Sequence, residues 1–111
     1  MTIWMVQTYI VKPEKQADLE TLLKNITKMM KEKPEKFKGL SSYKTFTHKV
    51  GSIGTYVEMY EFPDMGVFEK WYDGAFMDKD ILKLYGDWMS QIVTDSYTVH
   101  LWSPIIDYKA K

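Results

Sequence analysis

The chain has 111 residues and balances 15 lysines and arginines against 15 aspartates and glutamates. A chain of this length folds as one domain and can bury a core without metal or disulfide staples. It contains no cysteine, which excludes disulfides, thiolate metal sites and thiol nucleophiles. The balanced charge argues against a nucleic-acid binder built on a basic surface, and no apolar run approaches the ~20 residues of a membrane span.

The chain begins Met1-Thr-Ile-Trp, without the basic start and long apolar stretch of a signal peptide. We therefore expect a cytoplasmic protein that binds neither nucleic acid nor a membrane. Aromatic residues make up 15% of the chain, and there are 8 methionines. Large rings and adaptable thioethers suit a ligand pocket, a subunit interface or an ordinary core, and composition leaves these alternatives open.

The first predicted strand, Ile3–Val11, is rich in β-branched and aromatic residues and is mainly apolar on both faces. A strand with one wet face alternates between apolar and polar residues, so this strand is expected to be covered on both sides. One face carries Trp4, Val6, Thr8 and Ile10, and the other carries Ile3, Met5, Gln7, Tyr9 and Val11.

A helix follows, predicted from Pro13 to about Lys33, because proline suits a first helical turn and a second proline comes directly after Lys33. Strands at about Leu40–Val50 and Thr55–Phe62 flank the turn Gly51–Gly54 and are predicted to form an antiparallel hairpin. The apolar stripe of the helix consists of Leu19, Leu22, Leu23, Ile26, Met29 and Met30.

Asp64 is the predicted N-cap of a second helix, which Gly74 is expected to break before another helical piece begins near Asp78. The last strand is predicted at about Ser96–Ser103, and the tail Ile105–Lys111 is interpreted as an extension that reaches a partner. The solvated face of the second helical piece is expected to carry Asp78, Asp80 and Asp87.

The element order β-α-β-β-α-β predicts a ferredoxin-like α+β fold with a four-stranded antiparallel sheet and the helices on one face. The other face would be wet in a monomer, yet either face of the first strand is apolar enough to signal an interface. We therefore predict a homodimer through the sheet face, with two sheets packed about a two-fold axis. The sequence leaves open which face of the strand is the free one.

Two segments resemble a known superfamily. Tyr9-Ile-Val-Lys-Pro-Glu-Lys precedes an amphipathic helix, and Glu58-Met-Tyr-Glu-Phe-Pro-Asp precedes Phe68-Glu-Lys-Trp71 and Phe76. This pattern resembles the dimeric α/β-barrel superfamily, and within it the antibiotic-biosynthesis-monooxygenase-like group. The resemblance implies a barrel formed across the dimer and a ligand cleft between the sheet and the helices of each subunit.

Members of that superfamily include cofactor-free oxygenases acting on phenols or quinols, haem-degrading enzymes, isomerases and cyclases, and many proteins of unknown activity, so fold alone does not fix the chemistry. The resemblance implies that a haem-degrading member would have an amide side chain on the first strand, a Trp on the second helix and a haem-ligating His later on that helix. Gln7 stands where the amide is usually Asn, and Trp71 matches the Trp. The His is missing, because the histidines are His48 and His100 on predicted strands. We expect no cofactor.

A cofactor-free oxygenase needs a pocket with apolar walls and a few polar groups that bind an electron-rich aromatic molecule and exclude water. Gln7 is the most telling candidate, because an amide in an apolar strand costs energy unless it is hydrogen-bonded. Its alternative is a hydrogen bond to a helix residue or a place near an opening. The candidate substrate-binding residues are Gln7, Tyr9, Tyr60, Trp71, Tyr72 and Tyr85.

His48, Glu58 and His100 are the candidate catalytic residues. Imidazole titrates near neutral pH, but His48 also fits an exposed strand end and His100 a satisfied structural histidine. Glu58 shares a strand face with Tyr56, Tyr60 and Phe62, and a carboxylate among aromatics has a raised pKa that suits acid or base work. Its alternatives are a pair with a lysine or a solvated rim. Two isolated histidines and no carboxylate cluster predict no metal site.

Two hypotheses remain open. The first is a small homodimeric enzyme, either a cofactor-independent monooxygenase or an isomerase or cyclase, acting on an aromatic or polyketide-like metabolite. The second is a non-catalytic dimer that binds a small ligand or has only a structural role. Turnover of a hydroxynaphthalene-type substrate would favour the first, and tight binding without turnover would favour the second.

Overall fold

The computed structural model describes residues 2–48, 51 and 53–110. These residues form four strands and three α-helices. The strands are β1 (Ile3–Ile10), β2 (Ser42–Thr47), β3 (Thr55–Phe62) and β4 (Thr98–Trp102). The helices are α1 (Gln16–Glu32), α2 (Met65–Ala75) and α3 (Lys79–Gln91).

The four strands form one antiparallel sheet in the order β2-β3-β1-β4. Adjacent hairpin strands pair directly, while β1 occupies the interior between β3 and the C-terminal β4. The three helices pack on one face of the sheet. The predicted ferredoxin-like α+β plan is therefore confirmed, with its second helix divided into α2 and α3.

The core lies between the sheet and the helices in two adjoining clusters. In the first, Tyr9 and Tyr56 of neighbouring strands lie beneath Leu19 and Trp88 of α1 and α3. In the second, Phe62 of β3 packs against residues of β1, β3 and α2. Each fully buried large apolar side chain stabilises the fold by about 1.5–3 kcal/mol relative to leaving it exposed. The second cluster consists of Met5, Tyr60, Phe62 and Phe68.

The face of the sheet away from the helices is called here the open face. The sequence left open which side of β1 lies on this face, and the strand register gives the answer. The register pairs Trp4 with Trp102 and Val6 with His100, so these side chains share that face. The apolar residues that β1 contributes to the open face are therefore Trp4, Val6 and Ile10. At its two edges, Phe46 is 49% exposed and Trp102 is 52% exposed.

Several element ends differ from the sequence prediction, the largest differences being in the first helix, β2 and β4. The first helix opens with a 3₁₀ turn at Pro13–Lys15 before α1 begins. β2 is shorter at both ends than Leu40–Val50, and Val50 lies outside the described residues. β4 begins two residues after Ser96, because that serine lies in a 3₁₀ turn and its Oγ accepts a hydrogen bond from the Ile10 amide instead.

The prediction that Gly74 ends the second helix is wrong. The helix α2 continues through it to Ala75, and the break comes at the next residues. Asp64 is confirmed as an N-cap, because its carboxylate accepts from the Val67 amide at 2.9 Å. Asp78 is not on a solvated face, since its side chain caps α3 and its Oδ2 accepts from Lys36 Nζ at 2.6 Å.

After β4, residues 103–110 are exposed and contain neither helix nor strand, and Lys111 lies outside the described residues. Ile105 is 98% exposed. Within the described part of the chain, no helix has the length and apolar character needed to cross a membrane.

Candidate functional site

A cavity of about 240 Å³ lies between the helix side of the sheet and the three helices. Its floor is formed by β1 and β3, which contribute Met5, Gln7, Glu58 and Tyr60. Its walls are mainly apolar and aromatic side chains of the helices. This volume lies just below the range of about 300–1,000 Å³ that is typical of ligand pockets.

Glu58 is the central polar group of the cavity. It is 2% exposed, and three tyrosine hydroxyls donate hydrogen bonds to its carboxylate. Tyr43 and Tyr60 donate to Oε1 at 2.9 and 2.8 Å, and Tyr9 donates to Oε2. The donors come from β2, β3 and β1, so one carboxylate links three adjacent strands. Neither alternative from the sequence is observed, because Glu58 has no lysine partner within the described part of the chain and does not lie on a rim.

The charge state of Glu58 depends on two opposing effects. Burial disfavours the carboxylate and raises the pKa of Glu58 above its ordinary value, while the hydrogen bonds from Tyr9, Tyr60 and Tyr43 partly lower it. The same burial, together with the nearby carboxylate charge, raises the pKa of all three tyrosines. The tyrosines therefore stay neutral, and Glu58 is the group in this cluster that exchanges protons.

Gln7 lies next to Glu58 in the sheet, because the register of β1 and β3 places these two residues opposite each other. Its Oε1 accepts a hydrogen bond from the Tyr97 hydroxyl at 2.6 Å. Tyr97 directly precedes β4, so the partner of the amide oxygen comes from the turn before that strand and not from α1, α2 or α3. Burial raises the pKa of Tyr97 to about 12, which keeps its hydroxyl a donor to the Gln7 oxygen at neutral pH.

Trp71 of α2 lines the cavity and carries an indole N–H without a partner among the described residues. Its ring contacts Tyr60 and Phe62, with centroid distances of 5.6 and 5.1 Å. Its indole nitrogen Nε1 is buried and finds no hydrogen-bond acceptor among residues 2–48, 51 and 53–110. A buried N–H group without a partner costs about 1–3 kcal/mol.

Half-exposed aromatic rings mark the mouth of the cavity. Tyr72, Phe76 and Tyr85 all line the cavity and are 40–43% exposed. Phe76 lies between the other two, in edge-to-face contact with Tyr72 at 4.9 Å and with Tyr85 at 5.9 Å. These rings come from the end of α2 and from α3, so the break between the helices sits at the entrance.

The structure brings together most of the sequence-predicted site residues. Glu58 and five of the six candidate binding residues line the cavity. Tyr9 lies behind Glu58, fully buried, and reaches the site only through its hydrogen bond. The binding residues at the cavity are Gln7, Tyr60, Trp71, Tyr72 and Tyr85.

The two histidines lie elsewhere. His100 is exposed on the open face of the sheet, paired in register with Val6. His48 is exposed just after the end of β2. Neither lines the cavity, and α2 and α3 contain no histidine. The chain therefore offers no helix histidine at the cavity to ligate a haem iron, and the described residues contain no cluster of three or more metal-ligating side chains.

Sequence reasoning missed Tyr43, Thr45 and Tyr97. Tyr43 pairs with Tyr60 and Thr45 with Glu58 across the hairpin, so both face the cavity side of the sheet. The predicted hairpin carried part of this signal, because strand alternation places Tyr43 and Thr45 on the face that carries Glu58 and Tyr60. A turn closed at Gly51–Gly54 would however place Thr47 opposite Glu58, where the structure has Thr45. Tyr97 gave no such signal, since it lies in a turn before β4.

Comparison with known proteins supports the fold. No family model and no curated protein matches the chain. Among solved structures, a NIPSNAP family protein from Agrobacterium tumefaciens has a TM-score of 0.73 and 13% identity, covering 94% of this chain and 93% of its own. A variant of SnoaB, a cofactor-independent oxygenase from Streptomyces nogalater, has a TM-score of 0.70 and 11% identity over 96% and 95%.

A structure described as an antibiotic biosynthesis monooxygenase has a TM-score of 0.66 and 14% identity, covering 94% of this chain and 99% of its own. The chain therefore has the ferredoxin-like fold shared by antibiotic-biosynthesis-monooxygenase-like and NIPSNAP proteins, as the two sequence segments indicated. At these identities the likeness defines the fold, and the chemistry has to be argued from the cavity.

Proposed function

We propose that the protein binds a phenol or quinol of one or two rings in this cavity and oxidises it as a cofactor-independent monooxygenase, with Glu58 as the proton acceptor. The observation that carries the proposal is a desolvated carboxylate at the floor of an aromatic-lined cavity. The neighbouring fold of a cofactor-independent oxygenase supports the same class of reaction. The volume of about 240 Å³ favours a small ring system.

The reaction balances without a cofactor, as a naphthol shows. Glu58 takes the proton of the ring hydroxyl, and the resulting oxyanion is electron-rich enough to reduce O₂. A carbon–oxygen bond forms at the ring carbon, giving a peroxide. The proton of that carbon passes to the departing oxygen as the oxygen–oxygen bond breaks, and a quinone carbonyl and hydroxide result. The hydroxide takes the proton held by Glu58 and leaves as water, so one oxygen atom enters the product and the substrate supplies all the electrons.

Each group in the cavity has a part in this chemistry. The apolar walls exclude water, which strengthens the electrostatic interactions inside. The free N–H of Trp71 can donate to the substrate oxygen and stabilise the oxyanion as it forms. The raised pKa of Glu58 brings it nearer to that of a phenol, which favours proton transfer between them.

A specific observation favours a second function, which is binding without turnover. Both carboxylate oxygens of Glu58 already accept hydrogen bonds from tyrosines. A carboxylate so fully occupied is a weaker base toward a ligand, and it can instead hold the three strands together. In that case the cavity binds an apolar aromatic molecule and releases it unchanged.

One experiment separates the two functions. A naphthol is titrated into the protein without oxygen, and binding is followed by tryptophan fluorescence. Isotopically labelled O₂ is then admitted, and quinone formation and label incorporation are measured. We expect binding in the wild type and in Glu58→Gln, with turnover lowered by roughly 10²–10⁴ in that variant. Glu61→Gln, on the same strand but the other face, serves as the matched control and should keep turnover.

The outcomes are distinct. Binding with no labelled product in the wild type would support the non-catalytic function. No binding of any naphthol would contradict both functions. Equal turnover in Glu58→Gln and the wild type would refute the role of Glu58 while leaving the cavity as the site.

We also propose that the protein is a homodimer through the open face. Trp4, Ile10, Phe46 and Trp102 are partly or largely exposed on that face. Such apolar surface is typical of a protein interface, and a two-fold axis would cover it on both copies at once. Sedimentation equilibrium should give twice the chain mass of 13.1 kDa.

A further inference from the structure

We propose that Tyr43 and Thr45 form a proton path that connects Glu58 with solvent on the side away from the cavity. The inference rests on the proposed function, because it concerns how Glu58 exchanges protons once a ligand fills the cavity. A buried base with no other route to water would keep whichever charge state it had when the ligand entered.

The path is an unbroken chain of hydrogen bonds. Thr45 Oγ1 donates to the Tyr43 hydroxyl oxygen at 2.7 Å, and the Tyr43 hydroxyl donates to Glu58 Oε1 at 2.9 Å. Tyr43 and Thr45 belong to the edge strand β2, and both are half-buried. The chain therefore runs from the interior of the sheet to its edge in two steps.

The outer end of the path reaches an open groove between α1 and β2. Tyr43 and Thr45 both line this groove, opposite exposed polar side chains of α1. Lysine ammonium groups are strongly hydrated, so water reaches the outer hydroxyl. The side chains of α1 along the groove are Leu23, Lys24, Thr27, Lys28 and Lys31.

The other two tyrosines bonded to Glu58 do not connect it to solvent outside the cavity. Tyr9 is fully buried, and its hydroxyl ends at the carboxylate. Tyr60 lines the cavity itself, which a bound ligand would fill. Gln7, the other polar neighbour of Glu58, has its oxygen bonded to Tyr97. Among the described groups that face Glu58, Tyr43 is the one whose hydroxyl is bonded to a second hydroxyl, that of Thr45, at a groove open to solvent.

Proton transfer along the path balances without a charged tyrosine. As the carboxylate takes the Tyr43 proton, Tyr43 takes the Thr45 proton and Thr45 takes one from a hydronium ion in the groove, which is left as water. Afterwards each hydroxyl points the other way, which is the arrangement needed to carry a proton out again. The raised pKa of Tyr43 agrees with a concerted transfer in which this residue stays neutral.

The test follows protonation of Glu58 directly and needs no turnover. A caged acid is photolysed to lower the pH, and time-resolved infrared spectroscopy follows the carboxylic acid band, assigned by its loss in Glu58→Gln. We expect Tyr43→Phe to slow the rise of this band by roughly a hundredfold, as for loss of a positioned proton-transfer group. Thr45→Val tests the next step and should also slow it, whereas Thr47→Val, on the same face of β2, should not.

Tyr9→Phe separates a proton path from a general loss of hydrogen bonding. It also removes one donor from the carboxylate, so the pKa of Glu58 should rise, yet the rate should stay as in the wild type. The wild-type rate should persist with naphthalene bound, because the path avoids the cavity. Equal rates in Tyr43→Phe and the wild type, or a Glu58 band that ignores the pH jump, would overturn the inference. Slowing by Tyr43→Phe in a protein that oxidises no naphthol would support the path and contradict only the oxygenase.

Discussion

Replacing Glu58 by glutamine should remove a pH dependence that this one buried carboxyl imposes on stability. Burial raises the pKa of Glu58 above the ordinary value of 4.5. Between these two pKa values, Glu58 is protonated in the folded protein and ionised in the unfolded chain. Unfolding then liberates one proton as the pH rises above 4.5, and the free energy of unfolding falls. The penalty is absent at lower pH, where both states are protonated, and is complete once the pH exceeds the raised value.

The slope follows from one proton. Between the two pKa values, the wild-type free energy of unfolding should fall by about 1.4 kcal/mol per pH unit through this group alone. Glutamine keeps the shape and the hydrogen bonding, since its oxygen can accept from Tyr43 and Tyr60 and its NH₂ group can donate to the Tyr9 oxygen. Glu58→Gln should therefore fold and lack this slope.

The assay is urea unfolding followed by tryptophan fluorescence at a series of pH values, compared among the wild type, Glu58→Gln and Glu61→Gln. Glu61 is on the same strand, and its carboxylate accepts from the Ser42 hydroxyl at the sheet edge. That control should keep the wild-type slope. Identical pH profiles for the wild type and Glu58→Gln would refute the reasoning. A wild-type free energy of unfolding that rises with pH, with this rise absent in Glu58→Gln, would refute it as well.

Three further predictions concern the cavity, the open face and a turn. Trp71→Phe should weaken binding of a naphthol by up to about 1.5 kcal/mol while leaving naphthalene binding unchanged, as measured by calorimetry; equal losses for both ligands would contradict a hydrogen bond from Nε1. Phe46→Lys should give a folded monomer in sedimentation, and a dimer of unchanged stability would argue against the open face as the interface. Gly39→Ala should lower the free energy of unfolding by more than about 1 kcal/mol, because Gly39 has φ +98° and a Cβ there would lie 2.6 Å from Val67 Cγ1; thermal unfolding at the wild-type temperature would exclude this strain.

The helices, the strands and their order followed from local patterns, because apolar spacing and turn residues act over a few positions. Thr55–Phe62 was predicted with its observed ends. The same alternation placed Glu58 and Tyr60 on one face. It could not tell whether that face meets the helices, since both faces of the first strand are apolar and only the packing of α1 and α3 decides between them.

The functional roles depended on contacts between distant parts of the chain. His100 was predicted to be either a catalytic base or a satisfied structural histidine, but the pairing of β4 with β1 places it opposite Val6 on the open face, where it is exposed. The three donors to Glu58 lie on three strands, as many as 49 residues apart in sequence for Tyr9. No local pattern carries that information, although strand alternation does place Tyr43 on the same face of the sheet as Glu58.

The sharing of one carboxylate by three tyrosines has a consequence for how this protein can change over generations. Loss of Glu58 alone strands three buried hydroxyls, and loss of one tyrosine leaves a buried charge less well compensated, so each single step is costly. Replacement of the whole set by apolar groups of similar shape can be close to neutral. We therefore expect these positions to be inherited together, kept or lost as a unit, and lineages that keep them to do so for the chemistry of the proton rather than for the strength of the fold.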